Sequence, residues 1–274
     1  MEKIVESFEL YGKQYRLETG ELAKQATGSV VVTQGDTTVL VTAVISKEEK
    51  DYDFFPLTVD FIEKMYAVGR IPGGYLKREA RPSDKGTLTA RMVDRPIRPG
   101  FADGFNARCT SCARRSSSTA STARHHLRHG ATRCLMLGAA PFDGPAACVR
   151  IGRDVETGEF IVNPTFEESE NSDLELTIAG TADYISMVEA GADEISEEDM
   201  LAAMTFGQEA IAAFCEAQQR FLDRANIEPV EWPVHVADPP SPSASRRSWP
   251  RCPPRCAMPT SFAHGQGGRA QGPH

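Results

Sequence analysis

The 274-residue chain has no apolar run approaching 18 residues, so no segment reads as a membrane-spanning helix. Its first residues, Met1-Glu2-Lys3-Ile4-Val5-Glu6, lack the apolar stretch of a secretory signal. Export is therefore not expected, and the chain is read as cytoplasmic. No G-x-S-x-G, phosphate-binding-loop or dinucleotide-binding glycine pattern occurs, which removes the commonest signatures of serine hydrolases, P-loop nucleotidases and Rossmann enzymes. Acidic residues are missing from two long stretches. None lies between Gly104 and Phe142, which hold Arg108, Arg114, Arg115, Arg124, Arg128 and Arg133. None lies beyond Asp238, where Arg246, Arg247, Arg251, Arg255 and Arg269 stand. These arginines carry +11, so the formal charge of −8 hides −19 on the remainder, and a whole-chain isoelectric point describes no real surface. Cys109, Cys112, Cys134, Cys252 and Cys256 fall in the same two stretches. Only Cys148 and Cys215 lie in apolar surroundings that suit reduced core thiols.

What is present is an ordinary globular composition with enough apolar residues for a sizeable core. Residues 1–62 read as strands. Phe8–Leu10 and Gln14–Leu17 flank the turn signal Tyr11-Gly12-Lys13, and Gln34-Gly35-Asp36 joins the β-branched runs Val30–Thr33 and Thr38–Val44 as a hairpin. Phe55–Ile62 is a further strand. The continuous apolar runs predict a sheet covered on both faces. Three glycines and a proline exclude a regular element from residues 69–81, after which Ser83 reads as the N-cap of a helix from about Asp84 to Val93, ended by Pro96. Strands follow at Ala146–Ile151, Leu174–Ile178 and Tyr184–Val188, with Gly180-Thr181 turning the chain between the last two. Ser196-Glu197-Glu198-Asp199 is a capping box opening a helix that presents Leu201, Met204, Ala212 and Cys215 and runs to about Ala225. Residues 107–133 show neither period, and residues 239–274 combine eight prolines with no acid; both windows are expected to be disordered.

The run Gly69-Arg70-Ile71-Pro72-Gly73-Gly74-Tyr75-Leu76-Lys77-Arg78-Glu79-Ala80-Arg81-Pro82-Ser83-Asp84 resembles the first-core loop of the bacterial polynucleotide phosphorylases. Arg95-Pro96-Ile97-Arg98-Pro99, Pro141-Phe142-Asp143-Gly144-Pro145 and Met204–Ile211 resemble later first-core motifs, in the same order. The resemblance covers residues 1–106 and 134–235. It implies an α/β (α+β) fold of the ribonuclease PH type, with a mixed, mostly antiparallel sheet and packed helices over about residues 5–225. The first core would span 1–237 and an aberrant tail 238–274. It implies a polyribonucleotide nucleotidyltransferase that degrades mRNA from the 3′ end to nucleoside diphosphates, with Mg²⁺ and with inorganic phosphate as co-substrate. It also implies single-stranded RNA as ligand, a homotrimeric ring, and a place in an RNA-degradation assembly. The family's catalytic acids and phosphate-binding serine belong to a second core. No catalytic residue and no metal ligand is therefore assigned here, and the chain is expected to be inactive alone. Residues 105–135 keep the family's length but lose the chemistry of its strand and helix, as a shifted and recovered reading frame would produce. The tail after about Asp238 reads as a second shift.

Tyr75, Leu76, Lys77, Arg78 and Arg81 combine an aromatic face with three cations, which suits base stacking and phosphate neutralisation. The resemblance places this loop at a channel entrance, where two aromatics precede two arginines. Leu76 cannot stack and Lys77 cannot bind bidentately. Arg91, Arg95 and Arg98 recur around the helix end at a spacing suited to phosphate, to terminal carbonyls or to carboxylate pairing. Asp143, Asp173 and Asp183 are isolated acids that suit turns. An alternative of another class is a zinc-dependent nucleic-acid-binding module, because Cys109-x2-Cys112-x12-His125-x3-His129 has zinc-finger spacing. Ala113–Arg124 holds only Ala, Arg, Ser and Thr, which cannot build a finger's core. A non-functional translation product that never folds is the remaining alternative.

Overall fold

The computed structural model describes residues 3–46, 54–79, 81–102, 104–105, 107–115, 136–226, 230 and 232. The chain divides into two units, Met1–His235 and Val236–His274, and the second lies outside the described residues.

Strands β1 (Ile4–Leu10) and β2 (Lys13–Thr19) form a hairpin whose turn residues, Tyr11 and Gly12, both take positive φ, 53° and 69°. That is the turn geometry that follows the right-handed twist of paired strands. Strands β3 (Gly28–Gln34) and β4 (Thr37–Ile45) pair through Gly35-Asp36, with Gly35 at φ 52°. Strand β5 (Leu57–Glu63), helix α1 (Asp84–Ile97) and strand β6 (Cys109–Arg115) follow. These build a six-stranded mixed sheet of order β1-β2-β3-β4-β6-β5, in which only β5 and β6 run parallel. A second, antiparallel sheet of order β10-β9-β7-β8 contains β7 (Ala147–Asp154), β8 (Phe160–Val162), β9 (Ser172–Gly180) and β10 (Ile185–Ala192). Helix α2 (Phe166–Glu170) precedes β9, and α3 (Glu197–Ala225) follows β10. The class is α+β.

In β3 and β4 one face is fully buried through Val30, Val32, Val39, Val41 and Ala43, while the alternate residues are half-buried or, at Val44, exposed. The expected double cover is thus incomplete, because the sheet buries its α1 and α3 side more than the other. Helix α3, about 43 Å long at 1.5 Å per residue, joins two cores. Phe221 and Leu222 pack with Leu17, Val93 and Ile97, whereas Ala203, Ala210, Ile211 and Phe214 pack with Val149, Ile151, Leu176 and Ile178. Of the helix residues expected inside, Cys215 is buried but Leu201 is 65% exposed. The buried stripe is set by small residues that bring α3 onto the sheet. A Cβ at Gly207 would lie 2.2 Å from Ile178 Cδ1.

Two further expectations are corrected. Helix α1 does not stop at Val93 but continues through Pro96 to Ile97. Pro96 lies in the last turn, where its missing N–H removes one bond from a helix that ends anyway. Within the window expected to be disordered, Cys109–Arg115 is strand β6, antiparallel to β4 and parallel to β5 over all seven residues. Its order comes from two hydrogen-bonding neighbours rather than from a period of its own. Cys109 and Ser111 are small enough to be buried at 0% and 1% exposure. Residues 116–133 and the tail expected at 238–274 lie outside the described residues.

A buried polar knot joins the sheets. Asn163, fully buried at φ 53°, donates to Tyr15 Oη at 3.4 Å and accepts from Arg150 N at 3.0 Å. Lys13 Nζ donates to the carbonyls of Val162 (3.1 Å) and Asn163. Burial lowers the Lys13 pKa and raises that of Tyr15.

Candidate nucleic-acid interface

The basic loop connects β5 to α1 and is held at its two ends. A short 3₁₀ turn, Met65–Val68, closes on Gly69 at φ 67°, whose N–H bonds back to Met65 O and Tyr66 O. Glu79 returns to that turn, accepting from Met65 N at 2.8 Å and pairing with Lys64. Ser83 Oγ accepts from Gly86 N at 3.1 Å and starts α1. Between these anchors the loop turns at Gly74–Lys77, where Lys77 N donates to Gly74 O at 3.0 Å and Lys77 itself sits at φ 49°. The tip carries Tyr75 at 99% exposure and Leu76 at 74%. Lys77, Arg78 and Arg81 are exposed, and among the described residues none of them forms an ion pair. An aromatic ring wholly in water beside three uncompensated cations has no packing role; the arrangement can stack a base and hold phosphates.

The arginines of α1 are placed differently. Arg98 binds Asp94 through Nη2 (2.8 Å) and Nε (3.2 Å), donates to the carbonyls of Phe55 (3.1 Å) and Leu57 (3.2 Å), and lies over the Phe55 ring at 5.9 Å. It clamps the end of α1 to the start of β5, so its donors are engaged within the fold. Arg91 and Arg98 line a groove of about 280 Å³ against β5. Arg95 faces β10 instead, 3.9 Å from Glu189, and lines a separate cavity of about 440 Å³. The structure therefore gathers Tyr75, Leu76, Lys77, Arg78 and Arg81 on one loop and sends Arg95 and Arg98 to two other surfaces. Asp173 pairs with Arg153 at 3.3 Å, as a structural acid does.

The zinc arrangement is not favoured among the described residues. Cys109 is fully buried in the first core, where desolvation pushes its thiol up to about 12. His125 and His129 lie outside the described residues, and among the described residues no three His, Cys, Asp or Glu side chains stand together as a metal site. Sequence reasoning missed the cavity beside Arg95, whose other charged walls, Lys85, Arg150, Glu175 and Glu189, come from four separate elements.

The model of the 3′ exoribonuclease family, domain 1, matches residues 12–115, ending at the last residue of β6, and that of domain 2 matches residues 144–210. With its mixed sheet, second sheet and clasping helix, the chain belongs to the 3′ exoribonuclease family, with the ribonuclease PH-like fold. It is 49% identical over 240 residues to the polyribonucleotide nucleotidyltransferase of Listeria monocytogenes serotype 4a, covering 87% of this chain and 33% of that protein. To the enzyme of the same name from Enterococcus faecalis it is 51% identical over 213 residues, 77% of this chain and 30% of that protein. The chain thus spans about a third of the length of the curated relatives it matches. Rice (Oryza sativa) Rrp46 shares the fold, with a TM-score of 0.57 at 14% identity over 76% of this chain and 94% of that one.

Proposed function

We propose that this chain is the RNA-guiding first core of a 3′-to-5′ phosphorolytic exoribonuclease. The carrying observation is the anchored loop with Tyr75 at 99% exposure beside Lys77, Arg78 and Arg81, which form no ion pair among the described residues. Tyr75 stacks a base of single-stranded RNA while the three cations hold successive phosphates, with Leu76 in van der Waals contact only. Arg95 and Arg98 stand apart from this loop, on the cavity beside β10 and the groove beside β5.

In the reaction of the whole enzyme, inorganic phosphate attacks the terminal phosphodiester phosphorus, the 3′ oxygen of the penultimate nucleotide leaves, and a nucleoside diphosphate is released. Such in-line displacement rests on positioning and charge neutralisation. Mg²⁺ supplies part of that neutralisation in the family reading. The described residues of this chain hold no cluster that fits the ion, so no step is routed through it here. What this chain supplies is substrate alignment. Its site of action is mRNA in the cytoplasm, within a homotrimeric ring and a larger RNA-degradation assembly. The family membership and the names of the relatives support this reading.

The test measures nucleoside diphosphate release from polyadenylate with phosphate and Mg²⁺, alongside oligonucleotide binding. The chain alone binds RNA and releases no diphosphate above a mock preparation. Release above that background, or no RNA binding, overturns the proposal.

A further inference from the structure

Glu79 is an acid inside a basic loop. It follows Arg78 directly and precedes Arg81 by two positions, so it lies beside two of the cations assigned to phosphate. Guanidinium donors accept a carboxylate as well as a phosphate, and a carboxylate left free at this position would occupy one of them. The structure turns Glu79 the other way. Its Oε1 accepts from Met65 N at 2.8 Å, and its Oε2 pairs with Lys64 Nζ.

Two features fix that direction. Lys64 precedes the 3₁₀ turn Met65–Val68 in extended conformation, at φ −96° and ψ 133°, and no side chain of its own caps the turn. The first N–H groups of a helical turn have no partner within it, and the one at Met65 is satisfied by Glu79 from 14 positions along the chain. Met65 O accepts in turn from the N–H groups of Gly69 and Arg70, so the turn and Glu79 are tied together at one residue. The Lys64 and Glu79 side chains are 24% and 26% exposed, which leaves their pair less screened than an open-surface pair such as Arg220–Glu216, at 50% and 76%. With Glu79 so engaged, Lys77, Arg78 and Arg81 are exposed and form no ion pair among the described residues. We propose that Lys64 is a positioning residue for RNA: it holds the Glu79 carboxylate on Met65 and so keeps Arg78 and Arg81 available to phosphate. Lys64 acts on the strand through Glu79 and not by contact. The inference rests on the RNA reading of the loop and adds to it a control of the loop's charge.

The test joins two measurements on the full chain. Amide hydrogen exchange at Met65 N–H, read by NMR, reports the latch without RNA. It should be about tenfold faster in Lys64→Met than in the unmodified chain, and stay slow in Glu79→Gln, whose amide oxygen still accepts. Anisotropy titrations with labelled oligoadenylate report the charge. The loop's contribution to the salt slope should fall from about 2.1 to about 1.4 in Lys64→Met, a loss of roughly 7-fold rather than 18-fold in affinity between 50 and 200 mM salt. Affinity at 50 mM salt should fall as well. Adding Glu79→Gln to Lys64→Met should restore a slope of about 2.1, whereas Glu79→Gln alone should leave the slope near that value. Equal slopes for the unmodified chain and Lys64→Met, an equal shift from Glu79→Gln in both backgrounds, or an unchanged Met65 exchange rate in Lys64→Met would each overturn this proposal alone. No RNA binding by the unmodified chain would overturn the loop reading together with it.

Discussion

Replacing Lys77 and Arg78 together with alanine isolates the electrostatic part of RNA binding. Both side chains are exposed and unpaired among the described residues, so their removal breaks no internal contact and should leave the melting temperature unchanged. Each phosphate contact on a single strand contributes about 0.7 to the slope of log affinity against log salt. Three contacts, from Lys77, Arg78 and Arg81, give a slope of about 2.1, which is roughly an 18-fold loss of affinity between 50 and 200 mM salt. The double variant should retain a slope of about 0.7 and lose only about 2.6-fold over the same range. Eleven arginines elsewhere add a background, but it is common to both proteins and cancels in the difference of slopes. Fluorescence anisotropy of a labelled oligoadenylate at four salt concentrations supplies the measurement. Equal affinities and equal slopes would show that the loop is a solvated connector.

Tyr75→Ala should cost about 1–3 kcal/mol of RNA affinity and leave the salt slope nearly unchanged, which the same anisotropy titration reads. Gly207→Ala should destabilise the fold by about 1–3 kcal/mol, measured by urea unfolding, because the new methyl would meet Ile178 Cδ1 at 2.2 Å. Asn163→Ala should cost a similar 1–3 kcal/mol by leaving Arg150 N without its acceptor, whereas an unchanged midpoint would dismiss the polar knot. Cys109 should resist alkylation at pH 8 in the native chain and react once unfolded, as mass spectrometry of labelled peptides would show. Its folded pKa of about 12 exceeds the usual 9, so the stability it contributes is whole below pH 9 and declines as pH rises toward 12. A Cys109→Ala chain should lack that component of the alkaline decline.

The parts legible in the sequence were those whose cause is local. Tyr11-Gly12 and Gly35 announce hairpins because positive φ is a property of the turn itself. Ser83 and Ser196 announce helix starts because each side chain caps an amide three residues on, at 3.1 Å in both cases. The loop of residues 69–81 was legible as glycine, proline and charge. Strand β6 was not, since β4 and β5 impose its order from outside and its own residues carry no period. The role of Arg98 was hidden for the same reason: two of its acceptors, Phe55 O and Leu57 O, lie 43 and 41 positions away. The cavity lined by Lys85 and Arg150 has no sequence signal at all, because helix and sheet residues meet there only after folding.

Photo-crosslinking of the chain to an oligouridylate carrying 4-thiouridine, followed by tryptic digestion and mass spectrometry, tests the central claim without any substitution. Trypsin cutting after Arg70 and Lys77 isolates the loop tip as Ile71–Lys77, which contains Tyr75 as its sole aromatic residue. If this loop receives the strand, that peptide should carry the nucleotide adduct on Tyr75, and added salt should diminish it. Adducts confined to other peptides, with Ile71–Lys77 recovered unmodified at saturating RNA, would contradict the account.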